Sequence, residues 1–350
     1  MMSAVIEWCL FPLSATLRCM QDSVGLAPPT PAMLESEDFD ACPLLCRLPG
    51  LKGKIAWRAL GDGFPTPVHE ATVTSDSGIA CHFYVKREDL SSSIYAGNKV
   101  RTLQFQLAVI EARLAAAEPD VLPVTVLGTF GSNQNVATVM HAARWIPASL
   151  PSLNVALLEP EVADMDNTLN FLSLLSLTRT RPLLGVSSLP SILRAAFFGR
   201  GTVLTMGGNS PSGVMGQVSA MLELAEQIDK GTAADPDRIY LAMGSSCTIS
   251  GLIIGVALSR HLGLRAFDSP RFRIVGVIVH HVAALLQRHT DFHRRWHSLP
   301  LSVTQTIRST CAAMAKLGAP DLTASSLEVL QVQVELDANK ALCGKYGGDR

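Results

Sequence analysis

The chain has 350 residues, of which 48% are hydrophobic and 17% are charged. That length exceeds what one hydrophobic core usually serves, and the composition excludes a disordered polymer, so a globular protein of two lobes is expected. Its 29 basic and 30 acidic residues leave a formal net charge of -1, which supplies no electrostatic footprint for nucleic acid or an anionic membrane and points to a small, roughly neutral ligand.

Residues 1–40 read as an N-terminal extension. Val5 to Leu17 is a short apolar run interrupted by Pro12, too short to span a bilayer and without the charged region that opens a signal peptide. A cytoplasmic location is the expectation, and an organellar address on the extension stays open. The Pro-rich Ala27 to Pro31 and the acidic Glu35 to Asp40 have the composition of a linker or arm. Eight cysteines are scattered without paired zinc-type spacings, which suits reduced thiols. Cys42 and Cys46 could share a helix face, but nothing nearby completes a four-ligand site, and no metal is expected.

Beyond Gly61 the pattern alternates between strands and helices. Strands are expected at Cys81–Lys86, Val121–Leu127, Asn154–Leu158, Thr202–Met206, Arg238–Met243 and Phe272–Val279. Helical stripes separate them, such as Met215, Val218, Leu222, Ala225 and Ile228. Apolar strands divided by helix-length segments indicate an α/β protein with open, mostly parallel twisted sheets flanked by helices. Ile239 to Gly263 is apolar enough to suggest a membrane span, yet Gly244 to Thr248 breaks it with polar residues at mid-depth. Strand, loop and buried helix is the better parse.

Ser93 to Leu103 forms a glycine-containing loop that delivers Lys99 to the mouth of a helix whose apolar face is Leu103, Leu107, Ile110 and Leu114. A helix N-terminus carries partial positive charge, so it disfavours an ammonium and favours the neutral amine that condenses with aldehydes. A lysine at a helix start is by itself an ordinary surface residue, so the loop needs support from elsewhere. Three strand-to-helix loops share the address where open sheets bind ligands. In Gly128 to Asn135, the Ser and Asn residues are good helix caps, but the loop holds more small polar side chains than a cap requires. Gly244 to Thr248 puts small residues at a helix start, where backbone N–H groups can approach a phosphate. Met206 to Gly213 is the third, and a turn alone would account for it. No Gly-x-Gly-x-x-Gly and no Gly-x-x-x-x-Gly-Lys-Ser/Thr is present, which argues against a dinucleotide or a nucleoside triphosphate.

Tyr95 to Arg101, Gly131 to Gln134, Gly207 to Pro211 and Gly244 to Thr248 resemble, in order and spacing, the pyridoxal-phosphate enzymes of the tryptophan synthase β-like fold (fold type II). The branch holding 1-aminocyclopropane-1-carboxylate deaminase and D-cysteine desulfhydrase is the most similar. The resemblance implies that Lys99 holds pyridoxal 5'-phosphate as a Schiff base, that Asn133 bonds the pyridine 3'-oxygen, and that Gly244, Ser245, Ser246, Cys247 and Thr248 cup the phosphate. It further implies that Ser132 and Gln134, with Asn98 beside them, meet the substrate, that Lys99 and Ser132 are the catalytic pair, and that a smaller lobe of residues 99–206 is inserted in a larger cofactor-binding lobe of residues 41–98 and 207–350.

The implied activity is a lyase or deaminase acting on a small amino acid, and the assembly this reading allows is a homodimer. Two departures bear on it. Related phosphate loops are richer in glycine, so Cys247 is expected to narrow this one. In the family a further strand and loop carry a hydroxyl partner for the pyridine nitrogen and, in the deaminases, a tyrosine. Here the sequence stops at Gly347-Gly348-Asp349-Arg350, with Tyr346 its last tyrosine. The expectation is a weak catalyst with an open sheet edge in the larger lobe, and the alternative is a non-catalytic relative that keeps the fold. His289, His293 and His297 lie four apart but are interleaved with arginines, which fits a solvated face better than a metal site. His280-His281 ends a strand, where a buried, hydrogen-bonded pair is the simpler account.

Overall fold

The structure is a computed structural model that describes residues 18–129, 131–146, 153–158, 165–177, 183–184, 189–278 and 302–337. Two open parallel sheets carry it. In the first, strands β3 (Val124–Thr129), β4 (Leu153–Leu158), β5 (Leu183–Leu184) and β6 (Thr202–Leu204) lie in the order β5-β4-β3-β6, with Val124 opposite both Leu153 and Thr202. In the second, β7 (Arg238–Met243), β8 (Arg273–Ile278) and β9 (Val334–Asp337) lie side by side, all parallel. The expected α/β class is what the chain adopts.

One expected strand of the parallel series belongs elsewhere. Residues β1 (Val68–Thr74) and β2 (Ala80–Lys86) form an antiparallel ribbon of their own, with Val73 opposite Cys81 and Ala71 opposite Phe83. The reason is the connection: Ser75 to Ile79 closes in a tight turn, with Ser75 accepting from Gly78 at 2.8 Å and bonding Ile79. So short a link joins only antiparallel neighbours. β9 is a strand that periodicity alone does not single out.

Residues 18–40 do not form a detached arm. Met20, Val24, Met33 and Phe39 are buried, and the Phe39 and Trp57 rings meet at 6.0 Å between centroids. The short helices α1 (Pro31–Ser36) and α2 (Pro43–Arg47) each start on proline, whose fixed φ and missing N–H suit the first turn. Thr30 caps α1 by accepting from Met33 N at 3.1 Å.

Helix α3 (Lys99–Ala115) was expected to bury one stripe, but it is buried on nearly every side. It is followed by α4 (Asn133–Trp145), α5 (Met165–Leu177), α6 (Leu189–Phe198), α7 (Pro211–Asp229) and α8 (Cys247–His261). The long α7 lies between α3 and α8, and glycines set how closely they pack. A Cβ on Gly216 of α7 would sit 2.0 Å from Arg101 O, and one on Gly251 of α8 would sit 2.3 Å from Gln217 Cβ. Bare backbone at these points brings the N-termini of α3 and α8 to the same end of α7. Helices α9 (Val303–Lys316) and α10 (Thr323–Gln333) cover the other side of α8.

The polar side chains that α3 buries are bonded. Arg101 Nε and Nη2 donate to the two Glu88 carboxylate oxygens at 2.7 Å each, and Nη1 and Nη2 reach the two Glu223 oxygens at 3.1 and 2.8 Å. Lys86 Nζ donates to Glu223 Oε1 at 2.5 Å and to Gln227 Oε1 at 2.8 Å. Burial alone would raise the Glu223 carboxyl, but the charges and hydrogen bonds of Arg101 and Lys86 together outweigh it and hold the group below its usual range. Removing one partner of such a cluster strands a buried charge. Glu223→Ala is therefore expected to cost about 3–5 kcal/mol in urea unfolding. A lowered carboxyl contributes stability that is intact above the ordinary glutamate value of about 4.3 and is lost as pH falls through the folded value. The acid-side loss in wild type should accordingly be blunted in Glu223→Gln.

Candidate active site

The lysine loop is shaped by its own backbone. Gly97 takes φ of 114°, a conformation that L side chains rarely adopt, and its N–H is shared between Glu88 O and Ser91 Oγ, both at 3.0 Å. Glu88 therefore binds Arg101 through its side chain and the Lys99 loop through its carbonyl. Asn98 precedes α3 but makes no side-chain cap. It donates instead from Nδ2 to Thr248 Oγ1 at 3.1 Å, at the start of α8. Its carbonyl accepts from Gln217 Nε2 at 2.9 Å. Lys99 is pinned from both sides as a result.

Lys99 Nζ lies 3.3 Å from Gly207 O. Burial lowers the pKa of its amine. The neutral amine expected from the sequence is thus favoured, with desolvation as the leading cause. Gly207, at φ of 64°, is more than a turn residue. A Cβ there would fall 2.0 Å from Ser245 Oγ and 3.5 Å from Lys99 Nζ, so the Met206–Gly208 turn brings the lysine against the Gly244 to Thr248 loop.

That loop has the form of an anion cradle. Ser246 is left-handed, φ 66° and ψ -7°, and as the residue before α8 it makes no side-chain cap. The first N–H groups of a helix have no partner within it, so those of Cys247, Thr248 and Ile249 are presented by the backbone alone. Asn209 Nδ2 holds the Ser245 carbonyl at 2.5 Å. Cys247 does not narrow the loop as expected, because its sulfur turns into the core, 3.6 Å from Gly208 O. Burial raises that thiol, so it stays protonated.

The third loop opens α4. Ser132 occupies the cap position without making a side-chain cap bond, so capping is not what its hydroxyl does. Asn133 is exposed, and its Oδ1 accepts from Tyr95 OH at 2.8 Å and from Asn170 Nδ2 at 3.0 Å. Gln134 is buried, with Nε2 3.4 Å from Thr138 Oγ1 and Oε1 without a partner. It touches the Gly207-Gly208 turn, since a Cβ on Gly208 would lie 3.3 Å from Gln134 Nε2. The four segments singled out in the sequence are thereby linked: Lys99 to Gly207, Gly207 to Ser245, Asn98 to Thr248, Asn133 to Tyr95, and Gln134 to Gly208.

Sequence reasoning gave no role to Asn170, Asn209 or Gln217. Their amides act on the site through hydrogen bonds to residues far away in sequence, for which no local pattern exists. Cys42 and Cys46 do not share a face, because Cys42 is buried against Ser219 Oγ at 3.5 Å and Cys46 is exposed. His280, His281, His289, His293, His297, Lys345 and Tyr346 lie outside the described residues. Among the described residues no helix is long and apolar enough to cross a membrane.

No family model matches the chain. Similarity to individual proteins is extensive nonetheless. The nocardicin C-9' epimerase of Nocardia uniformis subsp. tsuyamanensis is 34% identical over 189 residues, which are 50% of this chain and 53% of the relative. The D-cysteine desulfhydrase of Salmonella schwarzengrund is 29% identical over 236 residues, 63% of this chain and 64% of the relative. The chain thus spans between half and two thirds of these relatives. Among solved structures, an ACC deaminase homologue superposes with a TM-score of 0.52 at 19% identity, covering 84% of this chain and 76% of that one. The fold is the tryptophan synthase β-like fold of the pyridoxal-phosphate enzymes. Its sequence relatives include the D-cysteine desulfhydrases.

The geometry has a direct chemical consequence. Because burial lowers its pKa, Lys99 should react with acetic anhydride at a lower pH than the surface lysine Lys230, as read by mass spectrometry of competitively labelled protein. Equal midpoints would mean that the Lys99 amine is solvated.

Proposed function

We propose that the protein is a pyridoxal-phosphate-dependent lyase or deaminase that acts on a small amino acid, of the D-cysteine desulfhydrase or 1-aminocyclopropane-1-carboxylate deaminase type. The observation that carries this reading is the meeting, around Gly207, of a buried amine of lowered pKa with an uncapped helix N-terminus. An aldehyde needs the first and a phosphate needs the second. The residues fit the group on a further count: a Cβ on Gly207 would fill the space beside Lys99 Nζ and Ser245 Oγ, which glycine leaves clear.

Bound cofactor supplies the electron sink for charge released at the amino acid's Cα. The chain supplies the rest. Lys99 Nζ would hold the aldehyde carbon and is the base placed to take the Cα proton, a role that burial favours by lowering the pKa of the amine. The N–H groups of Cys247, Thr248 and Ile249, with Gly244, Ser245 and Ser246, hold the phosphate. Asn133 bonds the ring oxygen, while Ser132 and Gln134 serve the substrate carboxylate, with Asn98 fixing the lysine loop to the phosphate loop. This set weighs against the non-catalytic alternative.

Purified protein loaded with pyridoxal phosphate should absorb in the visible, and borohydride reduction with peptide mapping should put the label on Lys99. A label on Lys86, which is committed to Glu223, would overturn the assignment. Ser246→Asp should weaken cofactor affinity by more than about tenfold, since a like charge in a shielded cleft costs over ~1.4 kcal/mol. Sulfide from D-cysteine, or ammonia from 1-aminocyclopropane-1-carboxylate, at about 1 per second or faster would establish the enzyme. Exchange of the Cα proton with solvent deuterium without either product would favour the epimerase-like course instead.

A further inference from the structure

The orientation of the Asn133 amide is dictated by a chain of hydrogen bonds that begins at a backbone carbonyl. Gly131 O can only accept, so the group 3.0 Å from it on Asn170 must be Nδ2. That same Nδ2 lies 3.0 Å from the Asn133 side chain, which must therefore offer its oxygen there. Tyr95 OH reaches the same oxygen at 2.8 Å, and burial raises the pKa of the phenol, so it keeps the proton it donates. Tyr95 is itself held from behind. His141 donates Nε2–H to the Tyr95 carbonyl at 3.1 Å, and burial lowers the pKa of that histidine, which keeps it neutral. Helix α5 supports the arrangement through backbone contact, because a Cβ on Gly131 would sit 2.5 Å from Asn167 Cα.

We propose that Asn170 and Tyr95 are positioning residues that lock the Asn133 amide with Oδ1 inward, so that Nδ2 is an obligate hydrogen-bond donor to an oxygen acceptor on the ligand. This rests on the reading of the cleft as a pyridoxal-phosphate site, and it identifies what makes that site selective for a ligand oxygen at this point. Two donors converge on one Asn133 oxygen, and an amide has only one oxygen. A rotation that turned Oδ1 outward would bring its NH₂ against Asn170 Nδ2, donor to donor. The lock therefore decides the sign of the dipole that Asn133 shows to the ligand.

The test compares binding of two probes, pyridoxal 5'-phosphate and the analogue lacking the 3-hydroxyl, to the apoprotein by fluorescence titration. Wild type should prefer the hydroxylated form by about tenfold, as expected for a hydrogen bond to an ionised oxygen. Asn170→Asp replaces the inward donor with a carboxylate, which turns Asn133 round. This variant should lose most of the preference while binding the analogue as wild type does. Tyr95→Phe leaves the Asn170 donor in place and should lose part of it, and this variant decides the matter if Asn170→Asp does not fold. A purely structural role would weaken both probes equally. Unchanged preference in both variants, or equal weakening of both probes, overturns the lock while the cofactor site stands. Failure of wild type to bind either probe overturns the cofactor reading and the lock with it.

Discussion

The Lys99 end of α3 depends on a guanidinium buried two residues further on. Arg101 is fully enclosed, yet each of its carboxylate partners is doubly engaged. Glu88 belongs to the segment that leads into the lysine loop, and Glu223 belongs to α7. Lys86 on β2 adds a second cation, so two positive and two negative groups offset one another. Such a cluster is a poor source of net stability compared with packed hydrocarbon, but it tolerates only one arrangement, because any displaced member leaves a charge buried alone. The ribbon, the lysine loop, α3 and α7 are fixed relative to one another by that requirement.

On this frame the site is assembled from helix ends. Glycines on α7 and α8 let backbone meet backbone, so the first turns of α3 and α8 converge. Amide side chains then fasten the loops: Gln217 on the Asn98 carbonyl, Asn98 on Thr248, and Asn209 on Ser245. The arrangement leaves two groups in states they would not choose in water. Lys99 is desolvated and Ser246 is left-handed without glycine's freedom. Both cost stability, and both are what a carbonyl and a phosphate require, which is the pattern expected where structure serves chemistry.

Asn133 shows the same logic at smaller scale. It is an exposed residue at the first turn of α4, but its amide is oriented by partners on two other segments, Tyr95 and Asn170. Electrostatic preorganisation of this kind needs no charge. A dipole that cannot turn distinguishes an acceptor from a donor by its geometry alone.

The sequence by itself determined the α/β class, five strands of the two parallel sheets near their observed positions, and four loops that the fold brings together. Those signals are local: apolar runs read strands, glycine beside small polar residues reads a strand-to-helix loop, and a lysine at a helix start reads as misplaced unless it has work to do. What only the tertiary structure decided is everything set by contact between distant segments. The strand at Cys81 pairs with a neighbour across a short turn and leaves the parallel series. Residues 18–40 pack into the core although the composition of Ala27 to Asp40 is that of a linker. Cys247 turns inward, and burial lowers the pKa of Lys99. Desolvation is a property of what surrounds a group in three dimensions, and no window of sequence around Lys99 contains Gly207, Ser245 or Cys247.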